Sequence, residues 1–267
     1  MTSSIDPSDL RHQSRQALTL WCLFFIAVVL FNGTIPFIMG VNLHAWTASP
    51  LKSVLFAFIF YAVLFLAIPL VLIKGWNTVR QPAFLYPLFL AMLAVSLWHL
   101  FHWTAAVAII VLVYLHRRYD LSDYGLRSHV LRGDLLAILL MGLLGFVPVL
   151  MQASTTLRSF SPGAALLTGL DRLFGNPASS VENLFYFGFL AERLSYRTGR
   201  WLTPLLIGLM YTAHEMTNPE YWYGRMNFGL TFVGVTIWAS IYLWRRSVVA
   251  IWLGDGLYGF AGMLFSI

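Results

Sequence analysis

Four side chains in the last third of the chain could do acid–base chemistry: Glu182, His214, Glu215 and Asp255. Each falls within or at the edge of an apolar run. Ionisable groups in such runs are costly, so they face a bundle interior or a water-filled cavity and carry function. A carboxylate near a neutral imidazole is the minimum equipment for activating a water, with either partner serving as base. On the spans set out below, Glu182 lies near the outer end of one span. His214 and Glu215 lie near the outer end of the next, and Asp255 lies close to mid-membrane in the last. These positions predict convergence in the outer half of one cavity. Snorkelling or a local hydrogen bond would account for any one of them alone; three late spans each carrying one is the stronger sign. The remaining carboxylates, Asp6, Asp9, Asp120, Asp123, Asp134 and Asp171, fall in tails and loops, and Glu192 beside Arg193 reads as interfacial.

Other chemistries find less support. His99 and His102 are three apart, without a nearby carboxylate or Cys, and read with His116 as interfacial or core histidines. His214-Glu215 opens like a zinc-protease signature but continues Met-Thr-Asn-Pro. The second His is missing, and Pro219 ends the helix. Glu182, His214, Glu215 and Asp255 taken together would suit a hard or borderline divalent ion, which keeps a divalent metal open as a third reading. No other cofactor is expected. Cys22 is the sole cysteine and sits in the apolar run Leu18–Leu30, so it reads as a packed small hydrophobe. Gly256, Gly259 and Gly262, with Gly254 beside them, form a stripe that permits close helix packing; backbone approach to a ligand is the sharper alternative.

The elements that must position these groups follow from composition. Of 267 residues, 59% are hydrophobic and 10% charged, against about a quarter in an ordinary soluble domain. Mean hydropathy is +0.73. So few polar side chains could not cover a water-soluble core of this size, and disorder, collagen and coiled coil are excluded with it. The expectation is an all-α, polytopic transmembrane bundle of about eight spans. Its apolar segments are Leu18–Met39, Val54–Ile73, Ala83–Leu115 divided near Trp98–Thr104, Leu135–Met151, and then about 178–192, 201–217, 228–243 and 248–266. A connection, Gln152–Ser180, precedes the late group. Undivided, Ala83–Leu115 would be about 50 Å long, against a hydrocarbon core near 30 Å.

The basic residues test this cut. With the N-terminus in the cytoplasm, thirteen fall inside: Arg11, Arg15, Lys74, Arg80, Arg117, Arg118, Arg127, Arg132, Arg193, Arg197, Arg200, Arg245 and Arg246. Four fall outside: Lys52, Arg158, Arg172 and Arg225. The positive-inside rule is obeyed. The net charge of +6 thus reports cytoplasmic loops rather than a nucleic-acid partner. The expected organisation is a cytoplasmic tail over 1–17, N-terminal spans over 18–116 and a transmembrane core over 117–267. The chain belongs in a plasma (inner) membrane, with the C-terminus outside.

The order of signals resembles the CPBP family (CAAX protease and bacteriocin-processing, also called Abi), bacterial intramembrane endopeptidases with a glutamate-based mechanism. The match covers roughly residues 120–265. The first family motif, Glu-Glu-x-x-x-Arg, is similar to Glu182-Asn183-Leu184-Phe185-Tyr186-Phe187-Gly188. The second, an aromatic followed by His near the end of the next span, is similar to Met210-Tyr211-Thr212-Ala213-His214. The third, His-x-x-x-Asn or Asp after a basic turn, is similar to Asp255-Gly256-Leu257-Tyr258-Gly259 after Arg245-Arg246. Tyr124-Gly125-Leu126-Arg127 resembles the short Gly-Leu-Arg segment before the family's core.

The resemblance implies that Glu182 and His214 activate the attacking water and that Asp255 and Gly259 occupy the oxyanion-holding positions. Asn183 and Phe187 stand where the family has a Glu–Arg pair, so both charges have gone together. An ionised Asp255 would repel an oxyanion and only a protonated one could donate. Glu182, His214 and Asp255 are the expected catalytic residues, with Asn183, Tyr186, Glu215 and Gly259 supporting them. The expected function is an intramembrane peptidase, slow or inactive, acting on a membrane-associated peptide or protein. The alternative is a non-catalytic relative that serves as a partner-binding scaffold or a bacteriocin self-immunity protein, within an oligomer or larger membrane complex.

Overall fold

The computed structural model describes residues 7–40, 49–98, 100, 104–126, 132–147, 159–175, 177–215, 228–263 and 265–266. The fold is all-α. Its principal helices are α1 (Pro7–Val29), α2 (Pro50–Lys74), α3 (Pro82–Ser96), α4 (Thr104–Tyr119), α5 (Arg132–Leu144), α6 (Pro162–Leu170), α7 (Pro177–Asn183), α8 (Glu192–Glu215), α9 (Phe228–Arg245) and α10 (Val248–Met263). Two residues, Ser159 and Phe160, pair antiparallel with Ser266 and Phe265.

Local chemistry sets the helix ends. The Ser49 side chain accepts from the Lys52 backbone N–H, with Pro50 in the first turn of α2. Pro82 and Pro162 likewise open α3 and α6. Gly75 ends α2 at φ 76°, ψ 152°. Gly199 breaks α8 at φ 73°, ψ 172°. That region is essentially closed to any residue with a Cβ, so each glycine stops a helix where a longer rod would otherwise run on. Among the described residues four segments wind with the wider i→i+5 pattern: Leu30–Thr34 after α1, Ala57–Ala67 inside α2, Asp171–Gly175 after α6, and Leu184–Ala191, which joins α7 to α8.

Among the described residues two helices, Pro50–Lys74 and Phe228–Arg245, are long and apolar enough to cross a membrane. Pro82–Ser96 and Val248–Gly262 are shorter apolar helices. The outer faces carry large exposed apolar side chains, among them Phe89, Ile110, Leu139 and Leu167. The expected division of Ala83–Leu115 corresponds to separate helices α3 and α4. The expected break near residue 200 corresponds to Gly199. The expected connection Gln152–Ser180 differs, since α6 and the wound turn Asp171–Gly175 occupy much of it. α1 begins at Pro7, so the expected boundary at residue 17 falls inside a helix; Ser14 and Ala17 are buried.

The interior is aromatic. Phe24, Phe60, Phe65, Phe185 and Tyr186 pack together from α1, α2 and the α7–α8 junction, with Phe65 and Phe185 stacked at 4.3 Å. Glycines let α10 approach its neighbours. A Cβ on Gly254 would meet the Met141 sulfur at 2.5 Å, one on Gly256 would meet Leu173 at 2.5 Å, and one on Gly259 would collide with the Arg172 side chain. The stripe is a packing surface, as small residues permit.

Candidate active site

Glu182 sits in the last turn of α7 and His214 one residue from the end of α8, so the break at Gly199 folds the second half of α8 back beside the first carboxylate. Glu182 Oε1 lies 3.7 Å from His214 Nδ1. This is too long for a direct hydrogen bond but keeps both polar atoms within reach of one small molecule. Both side chains are buried, at 5% and 2% exposure. The tyrosine hydroxyls of Tyr61 and Tyr211 donate to the carboxylate, to Oε1 at 2.9 Å and to Oε2 at 3.1 Å. A carboxylate offers about four lone-pair positions, so two remain for other work.

The imidazole is held by rings. Phe56 stacks on His214 at 5.3 Å with planes 11° apart, and Tyr186 lies at 6.0 Å with planes 26° apart. Tyr61 and Tyr211 meet the imidazole edge-on. Lys52, buried in the first turn of α2, sits over Phe56 with its ammonium 5.0 Å from the ring centre, within electrostatic reach of Glu215 and His214. Glu215 and Asp255 are both within electrostatic reach of Glu182. The expected set of Glu182, His214, Glu215 and Asp255 therefore shares one neighbourhood.

Asp255 has a partner that the sequence did not single out. Arg172 Nη1 donates to Asp255 Oδ1 at 2.9 Å, with Asp255 buried and the Arg172 side chain 39% exposed. The guanidinium also lies over the Tyr258 ring at 5.5 Å. Gly259 leaves room for the Arg172 stem, and Gly256 leaves room for Leu173, whose carbonyl accepts from Trp252 Nε1 at 3.2 Å. Asp255 Oδ1 is thus an acceptor, and the donor in this pair is Arg172. Asn183 is buried next to Glu182. Among the described residues, Asn183 Nδ2, Tyr186 Oη and His214 Nδ1 have no hydrogen-bond partner.

Tyr61, Tyr211 and Arg172 are the members that sequence reasoning missed. Tyr211 stood next to the aromatic position of the second motif. Tyr61 lay in an unbroken apolar run, with no polar neighbour to distinguish it. Arg172 counted as one of four outer basic residues. Among the described residues, no group of three or more His, Cys, Asp or Glu side chains could hold a metal ion. His116 Nδ1 accepts from the Leu121 backbone N–H at 3.0 Å, a local structural role. His99 and His102 lie outside the described residues.

A second set of charged groups sits ten residues further along the Glu182 rod. Arg246 pairs with Glu192, and Arg245 Nε with Asp134 Oδ1 at 3.1 Å. Lys74 donates to the Asp120 carbonyl. Arg193 is fully buried: its Nε donates to Gln13 Oε1 at 3.0 Å, and its Nη1 reaches the carbonyls of Asp123, Gly188 and Phe189. Glu192, expected beside Arg193, instead turns to Arg246 and the Tyr242 hydroxyl. No protein-family model matches the chain, and no curated protein or solved structure is detectably similar to it.

Proposed function

We propose that the chain is a multi-pass protein of a plasma (inner) membrane, with its N-terminus in the cytoplasm, acting as a CPBP-like intramembrane peptidase on a membrane-associated peptide or protein. The apolar segments number nine rather than eight. An odd count is what puts the N-terminus inside and the C-terminus outside. The separation of polar contacts supports this orientation. Lys74, Arg193, Arg245 and Arg246, all assigned inside, bond to Asp120, Gln13, Asp134 and Glu192. Lys52 and Arg172, assigned outside, lie with Glu182, His214, Glu215 and Asp255. Reporter fusions at Gly75, Ser122 and Arg197 should read cytoplasmic and one at Thr155 external. An external Arg197 overturns this orientation.

The observation that carries the peptidase reading is the buried Glu182–His214 pair at 3.7 Å. A water about 2.8 Å from each atom would lose a proton to the carboxylate while the imidazole orients it. Glu182→Gln keeps the shape and hydrogen-bonding capacity but removes the base. In liposomes holding the protein with a pooled library of membrane-spanning reporter peptides, mass spectrometry should find cleaved fragments with the native chain and none with Glu182→Gln.

A second reading, a non-catalytic scaffold or bacteriocin self-immunity protein, is favoured by the two tyrosine hydroxyls that cap Glu182 and by the acceptor role of Asp255. A biological phenotype that survives Glu182→Gln with His214→Ala, at undiminished protein level, rejects the peptidase.

A further inference from the structure

Two tyrosines hold the Glu182 carboxylate, and a third, Tyr186, packs against Tyr211 and His214 beside them. Tyr61 and Tyr211 donate their hydroxyls to the two carboxylate oxygens. Tyr186 is as deeply buried, yet its hydroxyl donates to nothing among the described residues. Tyr186 follows Glu182 by four residues, the spacing that places helix side chains beside each other. Its ring packs 5.0 Å from Tyr211 and 6.0 Å from His214. It stands within electrostatic reach of both Glu182 and Glu215. Three residues before it, Asn183 ends in a second buried amide donor without a partner among the described residues.

A buried hydroxyl without a partner destabilises a fold, and phenylalanine would fill the same space without that penalty. The surrounding residues Phe24, Phe65 and Phe185 show that this pocket accepts phenylalanine rings. Among the described residues the Tyr186 hydroxyl thus keeps its donor free beside Tyr211 and His214. Asp255 and Gly259 leave the oxyanion-holding positions of the third motif without a donor.

We propose that Tyr186 Oη is the hydrogen-bond donor to the oxyanion formed during peptide hydrolysis at Glu182. This rests on the peptidase reading. In that step the water oxygen bonds to the scissile carbonyl carbon while Glu182 takes the water's proton. The carbonyl π electrons move to oxygen, which accepts from Tyr186 Oη without taking its proton. The oxyanion then collapses, the C–N bond breaks, and the leaving nitrogen receives the proton from Glu182.

The test is Tyr186→Phe, which deletes one oxygen. In liposomes with the same reporter library, the cleavage rate should fall about 10²–10³-fold, the usual loss for one oxyanion donor. The thermal midpoint of unfolding should stay level or rise, because the donor removed has no partner among the described residues. Tyr61→Phe, run in parallel, removes a hydroxyl that has a partner and should lower that midpoint. A Tyr186→Phe rate within threefold of the native rate, with Glu182→Gln dead, overturns the Tyr186 assignment and leaves the peptidase standing. Cleavage that persists in Glu182→Gln, or that is absent from the native chain, overturns both. A Tyr186→Phe protein that loses rate and midpoint together, with the rate restored on cooling, assigns the hydroxyl a structural role and overturns the proposal.

Discussion

Arg172 reaches across 83 residues of sequence to donate to Asp255 at 2.9 Å, and Gly259, four residues beyond Asp255, is the gap through which the arginine stem passes. Carboxylate, guanidinium and glycine form one unit. Removing one charge leaves the other stranded, whereas removing both together leaves a neutral contact. Asp255→Leu and Arg172→Met should each cost about 1–3 kcal/mol, with Arg172→Met at the low end because that side chain is 39% exposed. The double variant should cost less than the sum. Denaturant titrations of all four proteins in one detergent measure the coupling, and strict additivity would show that the pair does not interact.

Two glycine positions should respond in opposite directions to the same methyl group. On Gly188 a Cβ would collide with the Tyr124 carbonyl and meet Val248 at 2.9 Å, so backbone must move. Gly188→Ala should cost about 1–3 kcal/mol. On Gly234, within α9, nothing lies within 4 Å, and Gly234→Ala should stabilise by about 0.5–1 kcal/mol through helix propensity. Thermal midpoints decide, and a stabilised Gly188→Ala would contradict the packing of Tyr124 on the α7–α8 junction.

Gly199 carries a separate prediction. Its φ of 73° and ψ of 172° allow the rod bearing Glu182 to end and the rod bearing His214 to begin. Gly199→Ala should lose about 1–3 kcal/mol. It should also separate the two residues if the chain relaxes into a continuous helix. A structure of the Gly199→Ala protein with Glu182 Oε1 still 3.7 Å from His214 Nδ1 would refute this.

Asp120 supplies a pH dependence at the proposed cytoplasmic end. The Ser122 side chain and backbone N–H bond to its carboxylate, the backbone N–H at 3.0 Å, and hold its pKa below the ordinary value. A lowered folded-state pKa means the contribution is complete above the unfolded value of about 4 and is lost as pH falls through the folded value. Asp120→Asn should flatten the acid limb of the stability curve below about pH 4 and lower neutral stability by the same small amount, small because the group is largely exposed. An acid limb identical in the two proteins would refute the assignment.

The pair Glu182 and His214 was legible because ionisable residues in apolar runs are rare and expensive. The division between α3 and α4 was legible because 33 apolar residues exceed the thickness of a bilayer. The partners of those charges were not legible. Tyr61 meets Glu182 from 121 residues away and is one aromatic among many in an unbroken hydrophobic stretch. Arg172 lay in a segment rich in Ser, Pro and Gly, where α6 and its wound turn left little periodic signal over so few residues. Arg193 looked like an interfacial partner for Glu192. Its burial follows instead from carbonyls that the wide winding of Leu184–Ala191 turns toward it, which no side-chain pattern encodes.

The first helix finds its polar partners late in the chain. Gln13 waits for Arg193, 180 residues on, and Trp21 Nε1 donates to the Leu206 carbonyl at 3.3 Å, 185 residues on. At translation rates of about 5–20 residues per second, α1 emerges on the order of 10–40 s before the groups that complete it. During that interval its glutamine and indole must be satisfied by lipid headgroups, water or insertion machinery. The first helix can therefore pack Phe24 against α2 early but gains its polar partners only when α8 is made, and a ribosome stalled before residue 206 would carry a chain whose Trp21 indole has no Leu206 carbonyl to donate to.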